Sequence, residues 1–97
     1  MVVVGVLRFT VHLPESASLK DKRQVVGGLL ARIRVRFRVA AAEVDELDRW
    51  QVAALAVACV SNDGRHADQV LAGVLAYVEE NARELLVSSV STQLLRL

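Results

Sequence analysis

The amino-acid sequence predicts an α+β fold in which four strands form one antiparallel sheet and two helices cover one of its faces. The chain begins with a segment whose apolar residues alternate, and two later segments repeat apolar residues every three or four positions. The segments follow the order strand, helix, strand, strand, helix, strand, and two right-handed crossovers bring the strands into one sheet. The predicted architecture is the ferredoxin-like split βαββαβ fold, and residues 1–97 are expected to form a single domain.

The first strand and the first helix are the best-marked elements. Residues 2–13 alternate apolar side chains between two faces, and Pro14 ends the strand. Ser18 and Asp21 have the S-x-x-D spacing of a capping box, and apolar residues then recur at intervals of three or four. The spacing predicts a helix from Ser18 to about Arg36.

In the second half of the chain, two predicted strands form a hairpin, and a second helix and a last strand follow. "RVAAAEVD" (residues 38–45) and "WQVAALAVACV" (residues 50–60) are predicted strands joined by the polar turn "ELDR". In "SND", Asn62 or Asp63 is expected to cap the second helix. Its predicted buried stripe consists of Ala67, Val70, Leu71, Val74 and Val78. A last strand is predicted over residues 85–97.

Composition limits the classes of protein to be considered. Hydrophobic residues make up 54% of the chain, yet no uninterrupted apolar run approaches the ~20 residues of a membrane span. We therefore expect no membrane association, and the N-terminus does not resemble a signal peptide, so a cytoplasmic protein is predicted. The single cysteine, Cys59, is expected to be an ordinary buried residue, and neither a metal nor a cofactor is predicted.

The stretch "SLKDKR" places cations in the first turns of a helix, where the macrodipole favours anions. Lys22 and Arg23 share the half of the helix that carries its apolar residues. Glu43 and Asp45, on one face of the second strand, are the predicted ion-pair partners of both. The alternative is a small site for an anionic ligand, bound by Lys22 and Arg23 beside the apolar wall of Trp50.

A second basic group follows along the same helix. Between Lys20 and Arg38 the chain carries seven cations and one anion, whereas its overall net charge is +1. Candidate nucleic-acid or anion-binding residues are Lys20, Lys22, Arg23, Arg32, Arg34 and Arg36. Such a stripe suits a phosphate backbone, because arginine makes bidentate phosphate contacts. A solvated charged face, partly neutralised by Asp63 and Asp68, is the alternative.

The sheet face turned away from the helices offers small aliphatic side chains and no aromatic residue for stacking bases. A face of this kind, left open to water, is typical of a protein interface. We therefore predict a homodimer in which Val4, Val6, Ala54 and Ala56 are buried between two copies.

Enzymatic function is not predicted. His12 and His66 fall at opposite ends of the predicted fold, and neither has a foreseeable serine or cysteine nucleophile beside it. The segment "GVLRF" (residues 5–9) is similar to the first strand of acylphosphatases, but no glycine-rich phosphate loop follows it.

Four segments together resemble the YlxP-like family of small bacterial proteins of unknown function. They are "SLKDKR" at the start of the first helix, "AEVD" in the second strand, Trp50 after the hairpin turn and "VSND" closing the third strand. The resemblance spans roughly residues 6–95 and implies the fold predicted above and a bacterial cytosolic protein, often encoded near translation genes. It implies no activity or catalytic residue.

The predicted function is a non-enzymatic interaction module with RNA or a ribonucleoprotein as its partner, bound through the basic first helix. The alternative is a homodimeric adaptor that binds protein and has no nucleic-acid role.

Overall fold

A computed structural model of the chain, which describes residues 1–82 and 84–97, contains one four-stranded antiparallel sheet. In chain order its elements are β1 (Val3–His12), α1 (Leu19–Phe37), β2 (Ala40–Asp45), β3 (Val52–Ser61), α2 (Gly64–Asn81) and β4 (Leu86–Arg96). The strands lie in the order β2-β3-β1-β4, with β1 paired to both β3 and β4. This order confirms the ferredoxin-like βαββαβ prediction.

The two helices begin where polar side chains replace missing backbone partners. The Oγ of Ser18 accepts the amide N–H of Asp21 at 3.0 Å, and Asp21 Oδ2 accepts the amide N–H of Ala17 at 3.0 Å. Asp63 caps α2 by accepting the amide N–H of Arg65. Each cap satisfies donors that the first helical turn leaves free, which fixes the start of the helix.

The end of α1 explains why β2 begins later than the sequence predicted. Arg38 has φ 54° and ψ 52°, and its N–H donates to the carbonyl of Arg34. This left-handed residue closes the helix and turns the chain, so that β2 begins at Ala40 and not at Arg38. The left-handed cap therefore delays the strand by two positions.

The core lies between the sheet and the two helices. Alternate residues of β1, among them Leu7, Phe9 and Val11, are fully buried and meet the buried stripe of α2. At Gly5 a Cβ atom would lie 2.9 Å from Leu71 Cδ1 and 3.3 Å from Ala67 Cβ. Only glycine lets α2 approach the sheet this closely. The opposite face of the sheet carries neither helix, and Val4, Val6 and Ala56 on that face are partly exposed.

The cross-over geometry sets which ends of the elements meet. The end of β1, the start of α1 and the loop between β2 and β3 lie together, as the hydrogen bond from Leu13 N–H to the carbonyl of Gln51 shows. Among the described residues, neither helix has an apolar stretch long enough to cross a membrane.

Candidate nucleic-acid interface

The cations of α1 occupy several different environments. Lys22 is completely buried, whereas the other candidate binding residues, Lys20, Arg23, Arg32, Arg34 and Arg36, are exposed. We call these five exposed residues the cationic surface. Within residues 1–82 and 84–97, none of the five forms an ion pair with a carboxylate. No carboxylate of the described chain therefore neutralises their charge.

Lys22 is held inside the protein by backbone oxygens and one carboxylate. Its Nζ donates to the carbonyls of Glu46 at 2.9 Å, Leu47 at 3.2 Å and Val52 at 3.3 Å. The same ammonium lies 2.8 Å from Glu43 Oε2. An ammonium has three N–H donors, and four acceptors surround this one: the three carbonyls and the Glu43 carboxylate. The N–H donors of Lys22 are thus all engaged within the chain, so Lys22 is not a candidate ligand-binding residue.

Glu43 balances the buried charge of Lys22. Its Oε2 is buried and lies 2.8 Å from the Lys22 ammonium, and it has no other polar partner among the described residues. Burying two charges costs free energy that their attraction and the surrounding hydrogen bonds must offset. The hypothesis of an anion site built on Lys22 is therefore wrong, since an external anion would compete with Glu43 and find no free donor.

A bulge in β2 separates Glu43 from Asp45. Glu43 lies opposite Leu55 and Asp45 lies opposite Ala54, so Val44 is an extra residue with no partner of its own. Because one inserted residue reverses the alternation of side chains, Asp45 lies on the helix-free face and Glu43 on the core face. The prediction that both carboxylates share one face is wrong for this reason.

Asp45 instead pairs with Arg8 across the neighbouring strand. The Nη2 of Arg8 lies 3.3 Å from Asp45 Oδ2, and β3 runs between the two strands that carry them. Ala54 and Ala56 are small enough to let the ion pair pass above β3. Ala54, which lies between Thr10 and Asp45 on the helix-free face, is only 2% exposed. The prediction that Ala54 is available to a second copy is wrong for that residue.

Arg23 forms no ion pair with another carboxylate in place of Asp45 among the described residues. It is exposed and forms no ion pair with any residue that the structure describes. The predicted pairing of Arg23 with Glu43 or Asp45 is therefore wrong, because Lys22 takes the first carboxylate and the bulge turns the second away.

Arg34 is anchored at the edge of the sheet. Its Nε and Nη2 donate to the carbonyl of Ala41 at 3.0 and 2.6 Å. Strand β2 is an edge strand, so this carbonyl has no neighbouring strand to bind. The guanidinium is thereby held in place while its remaining N–H groups stay free to donate outward.

Arg36 is anchored on α2. Its guanidinium carbon lies 5.0 Å from the centre of the Tyr77 ring, and the Tyr77 and Phe37 rings meet edge to face at 5.8 Å. Arg32, one turn earlier, lines an open cavity of about 570 Å³ together with Val35, Arg36 and Tyr77. Tyr77 is the residue that sequence reasoning missed. It is the only tyrosine in the chain, but nothing in its spacing indicates which arginine it meets.

Trp50 lies at the other end of α1, in an open cleft of about 630 Å³. The cleft is lined by His12, Pro14, Asp48, Arg49, Trp50, Gln51 and Val52, and includes neither Lys22 nor Arg23. Trp50 itself is half exposed. The predicted apolar wall is present, but Lys22 and Arg23 do not line the cleft beside it.

The histidines and the cysteine do not assemble into a site. His12 Nε2 lies 3.0 Å from Ser88 Oγ, a hydroxyl partner that the sequence did not predict, and the described residues place no third group to orient the imidazole. In the part of the chain that the structure describes, no three histidine, cysteine or acidic residues are grouped as metal ligands. Cys59 is buried, and its burial raises the pKa of the thiol.

Residues 4–92 match the family described as "Protein of unknown function (DUF503)". The chain belongs to the DUF503 family. It is also 32% identical over 65 residues to the uncharacterized protein YlxP of Bacillus subtilis (strain 168), which covers 67% of this chain and 71% of that protein. The predicted resemblance to YlxP-like proteins is confirmed, and the DUF503 family assigns no activity to the residues described above.

Solved structures resemble this DUF503 chain in fold only. A de novo designed protein, Foldit4, matches with a TM-score of 0.55 and 16% identity, over 99% of this chain and 100% of that protein. SnoaB, a cofactor-independent oxygenase from Streptomyces nogalater, matches with a TM-score of 0.54 and 20% identity, over 99% of this chain and 92% of SnoaB. At this level of identity one architecture carries unrelated functions.

Proposed function

We propose that the protein is a non-enzymatic, cytoplasmic interaction module that binds RNA, free or within a ribonucleoprotein, through the cationic surface of α1. The observation that carries the proposal is that Lys20, Arg23, Arg32, Arg34 and Arg36 are exposed without a carboxylate partner among the described residues. Unpaired cations concentrated on one helix attract a polyanion, and releasing its counterions favours binding.

Two of these arginines are also partly ordered before any partner arrives. Arg34 is fixed on the carbonyl of Ala41, and Arg36 lies over the ring of Tyr77. Ordering a long side chain on binding costs conformational entropy. An arginine whose guanidinium is already held in place loses less of this entropy when it binds a phosphate. This arrangement supports phosphate binding over a face that is merely solvated.

The surface is suited to phosphates more than to bases. The described cationic surface adds no aromatic ring of its own, and the Tyr77 ring is occupied by Arg36. Phosphate contacts position a protein on nucleic acid without reading its sequence. We therefore expect binding that depends strongly on salt and weakly on RNA sequence.

The test is RNA affinity as a function of salt, measured by fluorescence anisotropy with a labelled structured RNA. The double variant Arg32→Gln/Arg36→Gln is compared with Arg49→Gln/Arg65→Gln, which removes the same charge from exposed positions outside α1. We expect the first variant to lose at least tenfold in affinity and to show a slope of log affinity against log salt that is lower by about 1 to 2. The second variant should stay within about twofold.

Two results would overturn the proposal. Equal losses in the two double variants would show that only net charge matters. An absence of RNA binding by the unmodified chain at low salt would remove the RNA role. If, in addition, the chain captured a protein from nuclease-treated lysate, the alternative of a protein-binding adaptor would take its place.

A further inference from the structure

We infer that the helix-free face of the sheet binds the same face of a second copy of this chain, in a contact that includes one apolar corner of the face. The corner is defined by Val2, Val4, Val6, Val60, Leu95 and Leu97. Val4 lies between Val60 on one side and Leu95 on the other, and the backbone of Val2 exchanges two hydrogen bonds with that of Leu97. This inference is independent of the proposed RNA-binding function.

The corner is apolar and open. Val60 is 76% exposed, and Val2, Leu95 and Leu97 are also among the exposed large hydrophobic residues. The patch continues over the small side chains of Ala40, Ala42, Ala56 and Ala58, which pair across β2 and β3. A contiguous apolar surface of this kind on a small domain marks an interaction site. Small side chains let another flat surface approach closely.

The size of the face suits a dimer. Four strands spaced about 4.8 Å apart make a sheet roughly 19 Å wide, and strands of about ten residues extend roughly 33 Å. The whole face, at about 600 Å², lies at the lower end of the roughly 600 to 1,000 Å² that each partner contributes to a standard stable interface. The apolar corner occupies one half of this face, and the charged residues Arg8 and Asp45 lie in the other half.

The charges on the face favour a second copy over an unrelated partner. Arg8 and Asp45 give the face one cation and one anion, both more than half exposed. In a two-fold contact the same surface meets itself, so Arg8 of each copy can face Asp45 of the other. The face is therefore complementary to itself in both polarity and charge, and the structure assigns it to self-association.

This assignment differs from the interface that the sequence alone suggests. Val4 and Val6 remain part of it and Ala56 lies at its margin, whereas Ala54 is already buried within the chain. The helices lie on the opposite face of the sheet, so a dimer of this kind leaves both copies of α1 uncovered and directed outward.

Sedimentation velocity of the 97-residue chain from about 1 to about 100 µM tests the inference. We expect the unmodified chain to sediment at about twice its mass of 10.6 kDa. Val60→Glu should raise the dissociation constant at least tenfold and give a monomer. Val35→Glu is the matched control, because Val35 is an 81% exposed valine on α1, away from the sheet face, and its variant should remain dimeric.

The sedimentation results decide between a dimer and a monomer as follows. A monomeric unmodified chain at the highest concentration, or a Val60→Glu chain that dimerises as well as the Val35→Glu chain, would overturn the inference. Circular dichroism shows whether Val60→Glu is folded. If it is not, Leu95→Lys decides the question, because Leu95 is a second exposed member of the corner. A melting temperature that rises with concentration in the unmodified chain and not in the folded variant would support the dimer.

Discussion

The ammonium of Lys22 lies 2.8 Å from the carboxylate of Glu43, and the Lys22 side chain is entirely enclosed where the first turn of α1 meets the hairpin loop. The lysine also binds the carbonyls of Glu46, Leu47 and Val52. One side chain thus ties the start of a helix to both ends of the loop that follows β2. The cation at the start of α1 is therefore a structural tie within the chain.

Replacing Lys22 with methionine should destabilise the protein strongly. The variant keeps most of the side-chain volume but leaves the Glu43 carboxylate and three carbonyls without their cation. Breaking a buried ion pair by removing one partner costs about 3 to 5 kcal/mol. Urea unfolding measures the loss directly as a change in the free energy of unfolding.

The neighbouring residue supplies the control for this prediction. Arg23 is exposed and unpaired within the described chain, so Arg23→Met should change the free energy of unfolding by no more than about 0.5 kcal/mol. Similar losses for the two variants would contradict the structural role assigned to Lys22.

Tyr77 should contribute to RNA affinity by holding Arg36. Ordering a long side chain on binding costs about 0.5 to 1.5 kcal/mol, so losing the ring that holds Arg36 in place corresponds to roughly a two- to twelvefold loss of affinity. We therefore expect Tyr77→Leu to weaken RNA binding by that factor, and Tyr77→Phe, which keeps the ring beneath the guanidinium 5.0 Å away, to leave it unchanged. Anisotropy titrations at one fixed salt concentration measure both.

The control separates positioning from general destabilisation. Tyr77 also meets Phe37, so the melting temperature of each variant is measured beside its affinity. If Tyr77→Leu lost RNA affinity to the same extent in an Arg36→Gln background, the effect would not act through Arg36.

Cys59 should make stability fall at alkaline pH. Burial raises the pKa of its thiol above the ordinary value of 9.0, so the folded chain holds the proton more tightly than the unfolded chain does. This contribution is complete below the pKa of the unfolded thiol and is lost as the pH rises through the higher pKa of the folded one. The contribution of the thiol is isolated by comparing the free energies of unfolding of the unmodified chain and the Cys59→Ala variant, measured in urea from pH 7 to pH 10.

The expected result is a difference between the two curves that grows above about pH 9. Parallel curves over the whole range would contradict the prediction. Alkylation gives an independent measurement, because a protonated, buried thiol reacts slowly until the chain unfolds.

Local patterns were sufficient to predict the elements. The alternation in residues 2–13 and the recurrence of apolar residues in the two helices depend only on periods of 2 and 3.6, which are properties of a segment by itself. The caps Ser18 and Asp63 are equally local, since a capping side chain binds amides two or three residues away. The order of the elements then leaves few topologies, and the observed one is among them.

The side-chain partners could be predicted only in part. Lys22 and Glu43 were expected to approach each other because both positions follow from regular geometry. Asp45 was placed on the wrong face because a strand of regular alternation gives no sign of the extra residue Val44. A bulge depends on how β2 is registered against β3, and that register is a property of two strands together.

The helices and strands, their order and the concentration of cations between Lys20 and Arg38 all follow from the amino-acid sequence. Packing of the elements is what encloses Lys22, places Arg36 over Tyr77 and pairs Arg8 with Asp45. The two kinds of feature differ because their interactions act over different distances along the chain. Backbone hydrogen bonds and apolar periodicity act within a segment, whereas ion pairs and ring contacts join residues that become neighbours only when separate elements pack.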